Sequence, residues 1–240
     1  MIARTGIAAL GMVAGALIGG GRTADAQAIH WTDWTAQSPI VSNGATVSGT
    51  IMVGSTPVGI TYTGEVDFTQ LAGGTNYWNP RATFLGAMYT DASAIPSDMI
   101  ALTGGRGITS TFTFSEPILN PFISFVSVGR GSTPVDYVFS APVTIVAGGP
   151  NAVFGGTALV PTPGNPNGVR GLEGNGTVRL DGAYSTISFT TVGGEYWSGL
   201  TIGVEGLASN VNVVPEPSTV ILTASGLAGL LVAARRRREG

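Results

Sequence analysis

Between Ile29 and Asn212 apolar side chains alternate with polar ones in short runs, and no window shows the 3.6-residue period of a helix face. Side chains of a strand point to opposite faces in turn, so Thr111-Phe112-Thr113-Phe114 sorts its rings from its hydroxyls only when extended. Ile123 to Val128 and Thr186 to Thr190 alternate in the same way. Further strands are expected at Thr46–Val53, Gly59–Thr63, Arg81–Tyr89, Met99–Leu102, Val135–Phe139, Val143–Ala147, Thr177–Leu180 and Leu200–Val204. Between them fall turn residues: Gly104-Gly105, Asn120-Pro121, Gly148-Gly149-Pro150, Asp181-Gly182 and Gly193-Gly194. Asp181-Gly182, flanked by alternating runs, predicts a hairpin. Around a dozen short strands at this spacing predict an all-β fold, an antiparallel sandwich of the jelly-roll type whose strand order the sequence leaves open. Pro161 to Gly176, rich in Pro, Gly and Asn, reads as one long exposed loop.

Only 10% of the 240 residues are charged, against roughly 25% in an average soluble domain. All 11 basic residues are arginine. From Ile29 to Asn212 five arginines face eleven acids, a balance of −6 that suits no phosphate backbone and excludes nucleic acid as a partner. Cysteine is absent, which removes disulfides, thiolate metal sites and thiol nucleophiles together and leaves the domain to be held by its core.

The two ends differ from the body. Met1 to Gly6 carries Arg4, an apolar run extends from Ile7 to Ile18, and small residues follow: the layout of a secretory signal peptide. Ala24-Asp25-Ala26 and Ala26-Gln27-Ala28 both fit the cleavage pattern; cleavage after Ala28 is preferred, which makes 1–28 the leader and Ile29 the first mature residue. The strand-rich ectodomain then spans 29–208. A linker over 209–219 contains Pro215-Glu216-Pro217, and an apolar stretch over 220–234 is followed by Arg235, Arg236, Arg237 and Arg238 within a tail at 235–240. The two prolines interrupt regular structure, Ser218 or Thr219 can cap a helix beginning at Val220, and the arginines hold the tail on the cytoplasmic side. The expected C-terminal transmembrane helix has 15 residues, short of the roughly 20 of a permanent span. It suits a stop-transfer segment that only has to hold until processing.

A Pro-Glu-Pro motif, a short apolar helix and a terminal arginine cluster together resemble the PEP-CTERM sorting signal of Gram-negative bacteria. The resemblance covers about 27 of 240 residues and concerns Pro215, Glu216, Pro217 and Arg235 to Arg238. It implies export, transient anchoring in the inner membrane, and recognition by exosortase, a multi-pass membrane enzyme that cleaves near the motif. It also implies association with exopolysaccharide at the cell surface or in the extracellular matrix. Signal peptidase would act at the other end.

The body offers little catalytic chemistry. His30 is the sole histidine and sits beside the expected mature N-terminus, where chains fray, so neither a Ser-His-Asp relay nor a histidine zinc site is expected. A P-loop would need a lysine. Gly171 to Gly176 has the wrong glycine spacing for a dinucleotide fingerprint and reads as a loop. Glu65 and Asp67 share a face if extended, Asp91 and Asp98 flank a proline turn, and other acids are scattered. They read as solvated rim residues, with a secreted carbohydrate hydrolase as the outside alternative. No cofactor is expected; calcium, for which hard oxygen ligands from loops suffice, is kept as an alternative although no spaced Asp-x-Asp-x-Asp loop appears. Tyr77-Trp78 and Tyr196-Trp197 both lie beside turns, which makes them candidates for stacking on a glycan, against an ordinary role as core rings. The reading is a non-catalytic surface or matrix protein, with a glycan-binding module as its alternative.

Overall fold

The computed structural model describes residues 27–86, 89–91 and 97–210. Residues 1–26 of the leader, the 211–219 part of the linker with its Pro-Glu-Pro, the 220–234 span and the arginine tail all lie outside the described residues. Among the described residues no helix is long and apolar enough to cross a membrane.

The chain is all-β, as its alternation predicts. Strands run β1 Gln27–Gln37, β2 Gly44–Val53, β3 Thr56–Glu65, β4 Phe68–Gln70, β5 Tyr89–Asp91, β6 Met99–Gly104, β7 Ser110–Val128 and β8 Val135–Phe139. They continue with β9 Thr144–Gly148, β10 Thr157–Ala158, β11 Val160–Pro161, β12 Gly168–Gly171, β13 Gly174–Arg179, β14 Ala183–Val192 and β15 Gly194–Leu207. One helix, α1, covers Arg81–Leu85, and a 3₁₀ turn follows β15 at Ala208–Asn210.

The hydrogen-bonded order is β11-β12-β8-β14-β7-β3-β2-β1-β15-β6-β4, and an additional β7–β15 pairing joins strands that stand apart in that order. The result is a continuous sheet that closes on itself through β7, β3, β2, β1 and β15, where two independent sandwich layers were expected. β7 makes this possible because its 19 residues serve both parts of the sheet. Its first half pairs with β3 and β14, its second with β15 and β13. The expected turn at Asn120-Pro121 is instead the bend between those halves, with Asn120 at φ 44°. Asp181-Gly182 turns the chain between β13 and β14, but these strands pair with β7 rather than with each other. Asn120 fastens the two crossings together: its N–H donates to the Gly182 carbonyl at 2.8 Å and its Oδ1 accepts the Gly182 N–H at 2.8 Å.

Three other segments differ from expectation. The expected strand Arg81–Tyr89 begins instead as a helix over Arg81–Leu85: after Pro80, held extended at φ −71° and ψ 151°, a single turn buries Thr83, Phe84 and Leu85. Pro161 to Gly176 is not one loop, since β12 pairs with β8 inside it; Arg170 forms a bidentate pair with Asp136 across that ladder, with both distances 2.8 Å. His30 is not at a frayed end but in β1, opposite Val204. Gln27 and Ala28 likewise pair with Tyr89 and Thr90 of β5, pairs that cleavage after Ala26 retains and cleavage after Ala28 removes.

Inside the ring, Trp34, Tyr62, Phe112, Phe125, Tyr137, Phe139 and Phe189 form a connected set of buried rings. Glu65 is buried here rather than on a rim: its Oε1 accepts from Thr103 Oγ1 at 2.9 Å, Gly104 N–H at 2.8 Å and Arg106 Nε at 3.2 Å. Asp67, two residues on, is exposed.

Asp98 is also buried, its Oδ2 accepting the Trp34 N–H at 2.9 Å. Burial lifts its pKa to about 6; the Trp34 N–H opposes this, while the charge of Asp33 and a hydrogen bond to it add to the rise. The folded form therefore holds this proton more tightly than the unfolded chain does. Its contribution to stability is complete below the model-peptide value of 3.8 and is lost as pH rises through about 6. Asp98→Asn, which keeps an acceptor for Trp34, is expected to remove about 2–3 kcal/mol of the fall in unfolding free energy between those pH values. Urea unfolding of both proteins at pH 4 and pH 7 measures it; parallel pH profiles would refute it.

Candidate functional site

The four rings expected to act together do not. Trp78 is 3% exposed and stands edge-on against Phe84 at 5.3 Å, a core residue. Tyr196 is 77% exposed and lies beneath the Arg130 guanidinium, 4.7 Å from its ring centroid. Tyr77 and Trp197 do meet, edge to face at 5.6 Å, and both are half-buried.

Two further rings join them. Phe154 stacks on Tyr77 at 5.6 Å with an interplanar angle of 10°, and meets Trp197 at 5.4 Å. Phe68 of β4, 37% exposed, meets Trp197 edge to face at 5.3 Å. Residues 68–77, Phe154 and Trp197, three widely separated parts of the chain, thus bring four rings to a cluster that is only partly covered. An aromatic preceding Gly155-Gly156 is a weak cue of the same kind as Tyr77 before a turn; Phe68 offers none.

One buried amide holds this arrangement. Asn151 donates through Nδ2 to the carbonyls of Tyr77 and Asn79, and its Oδ1 accepts the N–H groups of Val153 at 2.7 Å and Phe154 at 3.1 Å. With its hydrogen-bonding capacity used in this way, Asn151 ties the Tyr77 loop to the Phe154 loop, so the rings are placed before any ligand arrives.

Next to the rings is a charged corner. Glu195, two residues before Trp197 in β15, accepts the Gly129 N–H at 2.8 Å. Burial raises its pKa to about 7 and the charge of Glu173 adds to this; the Gly129 N–H, Ser198 and Arg130 pull the other way. Glu173 accepts from the Ser127 hydroxyl, and both residues hold left-handed backbone at φ 58°. Asn175, fully buried, joins this corner to the Phe154 loop by donating to the carbonyls of Gly155 at 3.0 Å and Glu173 at 3.3 Å. The acidic corner is thus tied to the Phe154 loop of the ring cluster through the Asn175 amide. Among the described residues no group of three or more His, Cys, Asp or Glu side chains converges to hold a metal ion.

The remaining site residues, Pro215, Glu216, Pro217 and Arg235 to Arg238, lie outside the described residues. No curated protein and no solved structure matches the chain. A family model described as the PEP-CTERM protein-sorting motif matches residues 213–238, which include the Pro-Glu-Pro and all four terminal arginines. The chain therefore carries a PEP-CTERM sorting signal, that of an exported protein anchored in the membrane while exosortase sorts it.

Proposed function

We propose that this protein is a non-catalytic component of the cell surface or extracellular matrix, freed of its leader by signal peptidase and sorted by exosortase, and that it holds exopolysaccharide. The half-open cluster of Phe68, Tyr77, Phe154 and Trp197 carries the reading. Aromatic rings left partly exposed cost hydration free energy that packing them inward would recover. A sugar recovers it by laying its C–H face on a ring, while Glu195 and Glu173 accept its hydroxyls. The non-catalytic assignment is supported by the placement of the sole histidine within the β1–β15 ladder and by the lack of cysteine.

Trp197→Ala is expected to weaken binding about tenfold, the equivalent of ~1.4 kcal/mol. Processed protein recovered from cells and co-sedimented with exopolysaccharide from the same cells measures it. Tyr196→Ala, which removes a ring outside the cluster, leaves binding unchanged. Equal sedimentation of the Trp197 variant and the native protein would end this reading.

A further inference from the structure

The opposite chemistry covers another face of the molecule. Alternate residues of β2, β3, β14 and the first half of β7 point into the core: Val47, Ile60, Tyr62, Phe112, Phe114, Ile187 and Phe189 are all buried. The residues between them point outward, and in the observed register they fall into rows. Ser48, Thr61, Thr113 and Thr186 are paired across successive strands, as are Thr46, Thr63, Thr111 and Ser188. A third row continues from Thr50 opposite Gly59, whose N–H donates to the Ser115 hydroxyl at 2.9 Å. Sheet geometry sets the grid: rows repeat every ~4.8 Å across the strands and every ~6.7 Å along them.

Two further properties separate this face from an ordinary wet sheet surface. The stretches 44–64, 107–115 and 182–194 that build it contain no Asp, Glu, Lys or Arg, although residues 29–212 carry −6 overall. Exposed sheet faces usually carry charges that keep them solvated and unpartnered. The hydroxyls are also largely unspent. Thr111 and Ser188 bond each other at 2.8 Å. Those of Thr46, Ser48, Thr61, Thr63, Thr113 and Thr186 make no hydrogen bond among the described residues. Gly59 adds a shallow groove of about 350 Å³ between Ser48, Thr61, Thr113 and Ser115.

We propose that this face is a second docking surface, distinct from the ring cluster, for an extended neutral polysaccharide chain. Each Ser or Thr hydroxyl both donates and accepts, which matches a ligand made of hydroxyls. Even spacing rewards a ligand that repeats, because one chain then meets several rows in register and its weak contacts add. The absence of charge selects a neutral polymer, since an acidic one gains no cation here and is repelled by the acidic remainder of the domain.

The test is affinity electrophoresis of the processed protein in gels containing hydroxyethylcellulose or, separately, alginate. The triple variant Thr61→Val, Thr63→Val, Thr113→Val removes hydroxyls while keeping shape, β-propensity and charge, so mobility without polymer is unchanged. Native protein is expected to be retarded by hydroxyethylcellulose and not by alginate, and the triple variant to lose at least tenfold in apparent affinity at an unchanged melting temperature. Trp197→Ala, read in the same gels, keeps the sensitivity to the triple substitution. Retardation of the triple variant equal to native would overturn the proposal. So would equal retardation in alginate, or loss of a native dimer on sizing as the variant's sole defect. A failure of the ring cluster appears instead as a Trp197 variant with native co-sedimentation.

Discussion

Replacing Pro215, Glu216 and Pro217 with alanines is expected to leave the chain unprocessed at its C-terminus, full length to Gly240 and held in the membrane. The two prolines have no N–H to donate and fixed φ values, which disfavour regular structure at the motif. Alanines in their place remove both constraints and, with Glu216, the tripeptide of the matched sorting motif. The apolar run and the arginines are untouched, so insertion and orientation persist while recognition fails. Intact-mass analysis of membrane and released fractions reads this directly: native protein ends near Pro215, the variant at Gly240. The effect is close to all-or-none, and a variant found with the native C-terminus would show that the motif is not what exosortase reads. Substituting Arg235 to Arg238 with glutamate is expected to be a different lesion, since it removes the positive charges that oppose translocation of the tail.

The second large effect lies in the core. Phe112→Ala is expected to cost 3–5 kcal/mol. Phe112 packs against Trp34 at 6.4 Å, Tyr62 at 5.2 Å and Phe189 at 5.9 Å, on strands from three parts of the chain. The neighbours are themselves fixed in a closed sheet, so the cavity left behind cannot collapse. With no cysteine in the chain there is no crosslink to limit the loss, and a typical total stability is only 5–15 kcal/mol. Urea unfolding is expected to show a shifted midpoint with an unchanged slope. A shift below about 1 kcal/mol would mean that the ring set is not the principal core.

Most strands were legible because alternation is a local signal: Val135–Phe139 and Thr46–Val53 follow from their own residues. Closure of the sheet was not, because nothing near Ser110 or Val128 states that both runs belong to one strand that bends at Asn120. Proline and asparagine mark a turn and a bend alike; which one forms depends on Gly182, some 60 residues away in the chain. The candidate site was half legible for a related reason. Tyr77 and Trp197 stand out beside turns, yet whether a ring is core or surface is decided by what packs on it: Phe84 covers Trp78, whereas Phe154 and Phe68 only flank Trp197. Glu65 was misplaced because its partners Thr103, Gly104 and Arg106 are non-local.

The pairing of β1 with β15 has a consequence for how the molecule is made. The first and last strands are separated by some 170 residues in sequence, and the ring stays open until the last one arrives. Such high contact order makes folding slow and forbids its completion while the chain is still threading through the translocation pore. β15 ends at Leu207, a few residues before the matched sorting signal at 213–238. Stalling of the tail in the bilayer therefore coincides with delivery of the closing strand, and the pause gives a slow folder time to finish before release.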